Sequence, residues 1–302
     1  MNVPMRSVQT IAGSLRQALD YVEASTGINL HRGRLREYLE LLDRAAAGEC
    51  VDGPSLWGAA LESADIEAAA TLRADVLTRV RHRLGELAAG PLVPNGLPDA
   101  GRDLAFELAT ASLMQGVDPD VDMERPSDVV LCAEGHPVLI ECKRPSSAGA
   151  FRRRMIDGYR QLSNHRRDGQ AGYGAIAADL SLLVNPGNGI LPAESRDAAI
   201  NALYGHIRLW LQMAAEELQR ARRNVRDDAG VHLLFFRLRC LVGIANGPPV
   251  VAQVWHAEPL IALDSPEFAL IYRAMCRVQH FSREVHIVDA ADPRALGVVP
   301  NR

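Results

Sequence analysis

The sequence predicts an α/β fold, a central mixed sheet flanked by helices, behind an all-helical N-terminal unit. Three observations carry this. Residues 1–90 read as helical, residues 90–101 are rich in proline and glycine, and from there apolar β-branched runs alternate with helical segments. The boundary divides the chain into 1–90, the helical unit, and 91–302, the α/β domain.

In the helical unit, Ser14–Tyr21, Leu35–Ala47 and Ile66–Ala89 are rich in Ala, Leu, Glu and Arg, which lose little side-chain entropy in a helix. Leu35, Leu39 and Leu42 make one apolar stripe, and Leu72, Val76, Val80 and Leu84 make another. Gly48 and Gly90 suit helix ends. Beyond the boundary, Asp103–Gln115 reads as a helix. Asp128–Cys132 and Val138–Cys142 read as strands of a hairpin turning over Ala133–Pro137, which contains Gly135. Ala150–Arg166 reads as a helix, Ala175–Val184 as a buried strand and Asn185–Gly189 as a loop. Arg196–Arg222 reads as a long helix, Val231–Ile244 and Val250–His256 as strands, and Pro266–Val278 as a closing helix.

Composition removes several function classes. Aromatic residues make up 5% of the chain, too few for a base-stacking platform, and the net charge of −4 excludes a generally basic nucleic-acid coat. The five cysteines, Cys50, Cys132, Cys142, Cys240 and Cys276, form no CxxC pair, which argues against a zinc ribbon or a disulfide framework and for a reducing, cytoplasmic setting. Neither a secretory signal nor an apolar run of about 18 residues is present, so no membrane span is expected. The nine histidines show no HExxH spacing, and Asn185–Gly189 lacks the lysine and hydroxyl of a P-loop.

Chemistry is concentrated in Arg125-Pro-Ser-Asp128 and Val138-Leu-Ile-Glu141-Cys-Lys143-Arg-Pro145. Strand alternation puts Glu141 and Lys143 on one face and Cys142 on the other. Antiparallel pairing of the two strands brings Asp128 beside Glu141. Two carboxylates with water and a phosphate oxygen make the hard oxygen cage that Mg²⁺ prefers. A metal there polarises a phosphate and helps generate hydroxide, while a lysine ammonium orients water or offsets developing charge. Three ionisable groups at an apolar strand end are costly to desolvate without such a purpose.

Pro126-Ser-Asp128, a spacer of twelve residues and Glu141-Cys-Lys143 together resemble the signature of the PD-(D/E)XK nucleases, which have the restriction-endonuclease-like fold. The likeness covers Arg102 to about Val184. It implies that Asp128 and Glu141 bind Mg²⁺, for which Mn²⁺ substitutes, that the Cys142 carbonyl is a further ligand, and that Lys143 assists the attacking water. Many members add a glutamate from the preceding helix, a position that Glu107 matches. Tyr159-Arg-Gln161-Leu resembles the QxxxY motif of RecB-like exonucleases and gives Gln161 a place beside the site, although His165 stands where that motif has tyrosine. The implied activity is hydrolysis of DNA phosphodiester bonds leaving a 5′-phosphate, in restriction or phage defence, or else in repair or recombination; RNA is the alternative substrate.

Lys143, Arg144, Arg152, Arg153, Arg154, Arg160, Arg166 and Arg167 are opposed only by Asp157 between positions 143 and 167. Arg144, Arg152, Arg153, Arg154 and Arg160 are therefore candidate phosphate contacts, against the plainer reading of a solvated helix face. Two other function classes compete with the nuclease. One is a catalytically silent nucleic-acid-binding or assembly module on the same fold. The other places the main activity in the helical unit, as a surface for self-association or a partner protein.

Overall fold

The computed structural model describes residues 5–94, 97, 99–124, 127–167, 172–186, 189–224, 231–245, 249–260, 264–277 and 285–288. Pro126 of the Pro-Ser-Asp segment, the side chains of Arg166 and Arg167, and Val278 at the end of the expected closing helix lie outside the described residues.

The molecule is α/β, with a mixed sheet flanked by helices and further helices at its N-terminal side. In chain order the described elements are β1 (Met5–Ser7), α1 (Val8–Thr26), α2 (Gly33–Ala46), α3 (Gly53–Ala69), α4 (Ala74–Arg79), α5 (Arg81–Leu84), a 3₁₀ turn (Gly85–Ala88) and α6 (Ala100–Met114). They continue with β2 (Val129–Ala133), β3 (His136–Lys143), α7 (Ala148–Arg167), β4 (Tyr173–Asp179), α8 (Ser181–Val184), β5 (Leu191–Ala193) and α9 (Arg196–Asn224). The last are β6 (Leu233–Ile244), β7 (Pro249–Pro259), α10 (Pro266–Arg277) and β8 (Val285–Val288). Among the described residues, no helix is long and apolar enough to cross a membrane.

The sheet order is β1-β8-β7-β6-β4-β3-β2, with β5 also pairing to β6. β3, β4 and β6 run parallel at its centre, where long apolar runs are covered on both faces. One face packs with helices α1 to α6 and α10 into a single core that includes Leu56, Trp57, Phe106, Ile140, Phe235 and Trp255. The other face packs on α7 and α9 through Phe151, Met155, Tyr159, Leu203 and Ile207.

The β2–β3 hairpin forms as its sequence predicts. Glu134 and Gly135 both have positive φ, 51° and 83°, the geometry of a tight two-residue turn whose twist matches its strands. Its register pairs Val129 with Ile140, which sets Asp128 level with Glu141.

Two expectations are corrected and one helix is added. Ile66–Ala89 is not one helix. The chain breaks after Ala69 and resumes as α4, α5 and the 3₁₀ turn, although Leu72, Val76, Val80 and Leu84 are all buried. Thr71 Oγ1 donates to the Ala68 carbonyl at 2.8 Å and Gln115 Nε2 donates to the Thr71 carbonyl at 3.1 Å, so side chains satisfy the backbone at the break. Gly53–Ala69, which has no amphipathic stripe, is a helix, started by Asp52 accepting from the Ser55 amide at 2.9 Å and by a proline in its first turn. The strand expected to reach Val184 ends at Asp179, whose carboxylate accepts from the Ser181 amide and hydroxyl and turns the chain into α8.

Candidate active site

The C-terminal end of β3 delivers Glu141 and Lys143 to one face, as alternation requires. Both are buried, and Lys143 Nζ donates to Glu141 Oε2 at 2.8 Å. Asp128, just before β2, accepts from the Cys142 amide at 2.7 Å and lies 3.7 Å from Lys143 Nζ. N–H and C=O of a strand residue point to the same edge, so the Cys142 carbonyl faces the Asp128 side as well. The three residues of the D…ExK pattern thus meet around one ammonium.

Each charge is set by its neighbours. Burial pushes the Glu141 carboxyl up, and Asp128 adds repulsion that Lys143 offsets in part. Burial pulls Lys143 down, yet Asp128 and Glu141 outweigh it and hold the ammonium above its ordinary value. The lysine stays protonated at neutral pH, a fixed positive charge. The buried Ser127 hydroxyl faces Glu141 without completing a well-formed hydrogen bond.

Glu107, buried on α6, also feels the charge of Asp128. Burial pushes its carboxyl up to about 7; the Arg83 fork pulls it down and Asp128 pushes it further up. Arg83 comes from α5, in the helical unit, and grips both oxygens: Nη1 to Oε2 at 2.6 Å and Nη2 to Oε1 at 3.1 Å. Asp128 therefore stands between two electrostatic pairs, Lys143–Glu141 and Arg83–Glu107.

As they stand, the described residues include no group of three or more His, Cys, Asp or Glu side chains placed to hold a metal ion. Glu141 and Glu107 are each directed at a cation of the chain instead. The donor chemistry nevertheless fits a hard divalent ion. Asp128 acts on both Glu107 and Glu141, burial with added repulsion from Asp128 raises these two carboxyls, and the Ser127 hydroxyl lacks a good partner.

α7 lies over Lys143. Gly158 has no side chain there, and a Cβ at that position would stand 3.3 Å from Lys143 Cε. His165, two turns on, places Nε2 3.7 Å from Glu141 Oε1, whereas Gln161 is exposed. His165, at the motif's tyrosine position, thus reaches Glu141.

The candidate phosphate contacts separate. Arg144 is half-buried, 3.2 Å from Asp179. It lines, with Ser146, Arg153 and Arg154, a pocket between α7 and the start of α6, where Arg154 lies 3.9 Å from Asp103. Arg152 turns away to Glu217 on α9 at 3.3 Å, and Arg160 is exposed, 4.0 Å from Asp157.

Two features carry no signal in the sequence. Arg83 sits 24 residues before Glu107, with no local pattern tying them. Asp65 of α3 forms a buried network in which Arg237 and Arg239 both reach it, and Arg237 also reaches Asp179 at 2.7 Å. Arg237 lies 4.6 Å from the ring centroid of Phe106, the residue next to Glu107 in sequence. Comparison with protein-family models, with curated proteins and with solved structures yields no match to this chain.

Proposed function

We propose that this protein is a metal-dependent nuclease of the PD-(D/E)XK type, on a restriction-endonuclease-like fold, that hydrolyses DNA. One observation carries the reading: a buried, protonated Lys143 shared between Glu141 at 2.8 Å and Asp128 at 3.7 Å, at the end of a central parallel strand. Ligand sites in α/β sheets favour that edge.

Asp128, Glu141 and the Cys142 carbonyl would hold Mg²⁺ or Mn²⁺, with Glu107 available as a further carboxylate. When bound, the metal supplies Lewis-acid polarisation of a phosphate oxygen and of water. The chain's own contribution is positional and electrostatic. Lys143 presents a fixed ammonium to the developing negative charge of the phosphate, in a buried setting where that charge counts for more than in water. Gly158 leaves the lysine room to lie flat against α7. Arg153 and Arg154, with the pocket they line, offer cations to the flanking phosphates of a backbone.

Cleavage of linear and circular DNA by wild type and Asp128→Ala, with Mg²⁺, Mn²⁺ or EDTA, tests the proposal. Metal-dependent cutting by wild type and loss of at least about a hundredfold in Asp128→Ala is the expected result. Equal cutting by both proteins would place the activity elsewhere.

A further inference from the structure

The carboxylates proposed to hold a metal are not equally available to it. Asp128 is part-exposed and shares its charge with a lysine 3.7 Å away. Glu107 has both oxygens engaged by one guanidinium, in the two-pronged geometry that makes arginine–carboxylate pairs strong and directional. The partners differ in their surroundings: the Glu107 side chain is 8% exposed and that of Arg83 31%. A carboxylate so buried needs a positive partner to stay ionised. Its present partner keeps contact with water and sits on a helix only four residues long, followed directly by a 3₁₀ turn. Glu86 also acts on Arg83 and is not among the carboxylates assigned to the metal, so the guanidinium keeps an anionic neighbour when it leaves Glu107.

We infer that Arg83 is a positioning residue, a stand-in cation that occupies Glu107 and that a divalent metal displaces when Glu107 joins the metal site. The inference rests on the nuclease reading. Through Arg83 the N-terminal helical unit supplies the competitor for one ligand of the catalytic metal. The same competition accounts for Glu107 being turned to a cation of the chain. In the metal-loaded protein Glu107 faces the metal, and Arg83 is released towards solvent, where its fork is free for a substrate phosphate.

Calorimetric titration of the full-length protein with Mn²⁺, without DNA, tests this through a double-mutant cycle of Arg83→Met and Glu107→Gln. Removing the competitor tightens Mn²⁺ binding by about tenfold in Arg83→Met. Glu107→Gln weakens binding, and the double variant matches Glu107→Gln, because the competition runs through Glu107 alone. An Arg83→Met effect of the same size in both backgrounds reduces Arg83 to one more nearby charge and overturns the inference, as does no tightening at all. If Arg83→Met does not fold, Arg83→Lys keeps the charge without the fork; it tightens binding to a smaller degree, and unchanged or weaker binding overturns the inference. Absence of Mn²⁺ binding in wild type and Arg83→Met alike removes the nuclease reading itself, an outcome distinct from bound metal that ignores Arg83.

Discussion

Gly158 is where a single methyl group separates stability from function. A Cβ there would stand 3.0 Å from Ile176 Cδ1 and 3.3 Å from Lys143 Cε, so both side chains must give way by a few tenths of an ångström. Gly158→Ala gains about 1 kcal/mol of helix propensity and loses a similar amount to crowding. Its melting temperature should stay close to wild type. On the proposed nuclease reading, displacement of the ammonium should nonetheless lower the cleavage rate by about tenfold, since catalytic groups tolerate little misplacement. A Gly158→Ala variant with wild-type kcat would show that the position of Lys143 is not critical. The residues of this corner differ in how far the sequence announces them. Asp128, Glu141 and Lys143 are legible because a hairpin and a period of two place them by local rules. Gln161 and His165 share one helix, but which of them reaches Glu141 depends on how α7 lies on the sheet, a tertiary fact that spacing does not carry. Arg83 is illegible because its partner comes from another helix, brought near only by packing.

At the scale of elements, α3 is joined to the sheet by charge as well as by apolar contact. Asp65 on α3 receives Arg237 at 2.6 Å and Arg239 at 2.9 Å from β6, and all three are buried. Burial alone would raise the Asp65 carboxyl, but Arg237 and Arg239 outweigh it and hold it below its ordinary value; Asp179 is likewise held low by Arg237 and Arg144 against burial. A carboxylate with a depressed folded pKa contributes stability that is present above its unfolded value, near 4, and lost as the pH falls through the folded one. Asp65→Asn should therefore cost about 3–5 kcal/mol at pH 7, because it removes the carboxylate facing the buried Arg239 and leaves Arg237 with Asp179 alone. The difference from wild type should shrink as the pH is lowered from about 5 to about 2. Urea denaturation of both proteins across that range checks it, and a gap under about 1 kcal/mol at pH 7 would show the network to be dispensable. The same helix is the element least legible in the sequence. Apolar periodicity reports a helix with one wet side, whereas α3 buries Leu56, Trp57, Ala59, Ala60, Leu61 and Ile66 around its circumference. Its cap signals, Asp52 and Pro54, are present but have no stripe to attach to.

For the whole molecule, the question is whether the α/β part stands without the helices before it. The apolar core on the α6 face is continuous from Val8 to Met275 and includes Leu15, Leu19, Tyr38, Leu42 and Trp57 together with Phe106, Ile140 and Phe235. Removing residues 1–90 would expose that face of α6 and of the sheet. Each large side chain uncovered costs about 1.5–3 kcal/mol, so a few of them equal the whole stability of an ordinary domain. It would also leave Arg237 and Arg239 without Asp65, and Arg102 without Tyr38 and Glu62. The fragment 91–302 should therefore show no cooperative thermal transition and should be digested by protease at concentrations that spare the full chain. A cooperatively folded fragment would mean that the helical unit covers a surface already stable on its own. Because Arg83 lies in the removed segment, such a fragment would also present Glu107 without its guanidinium partner. If Arg83 competes with the metal, that fragment should bind Mn²⁺ more tightly than the intact chain. The same truncation thus reads two properties of the molecule at once: whether its helices are needed for folding, and whether they restrain the site that the sheet presents.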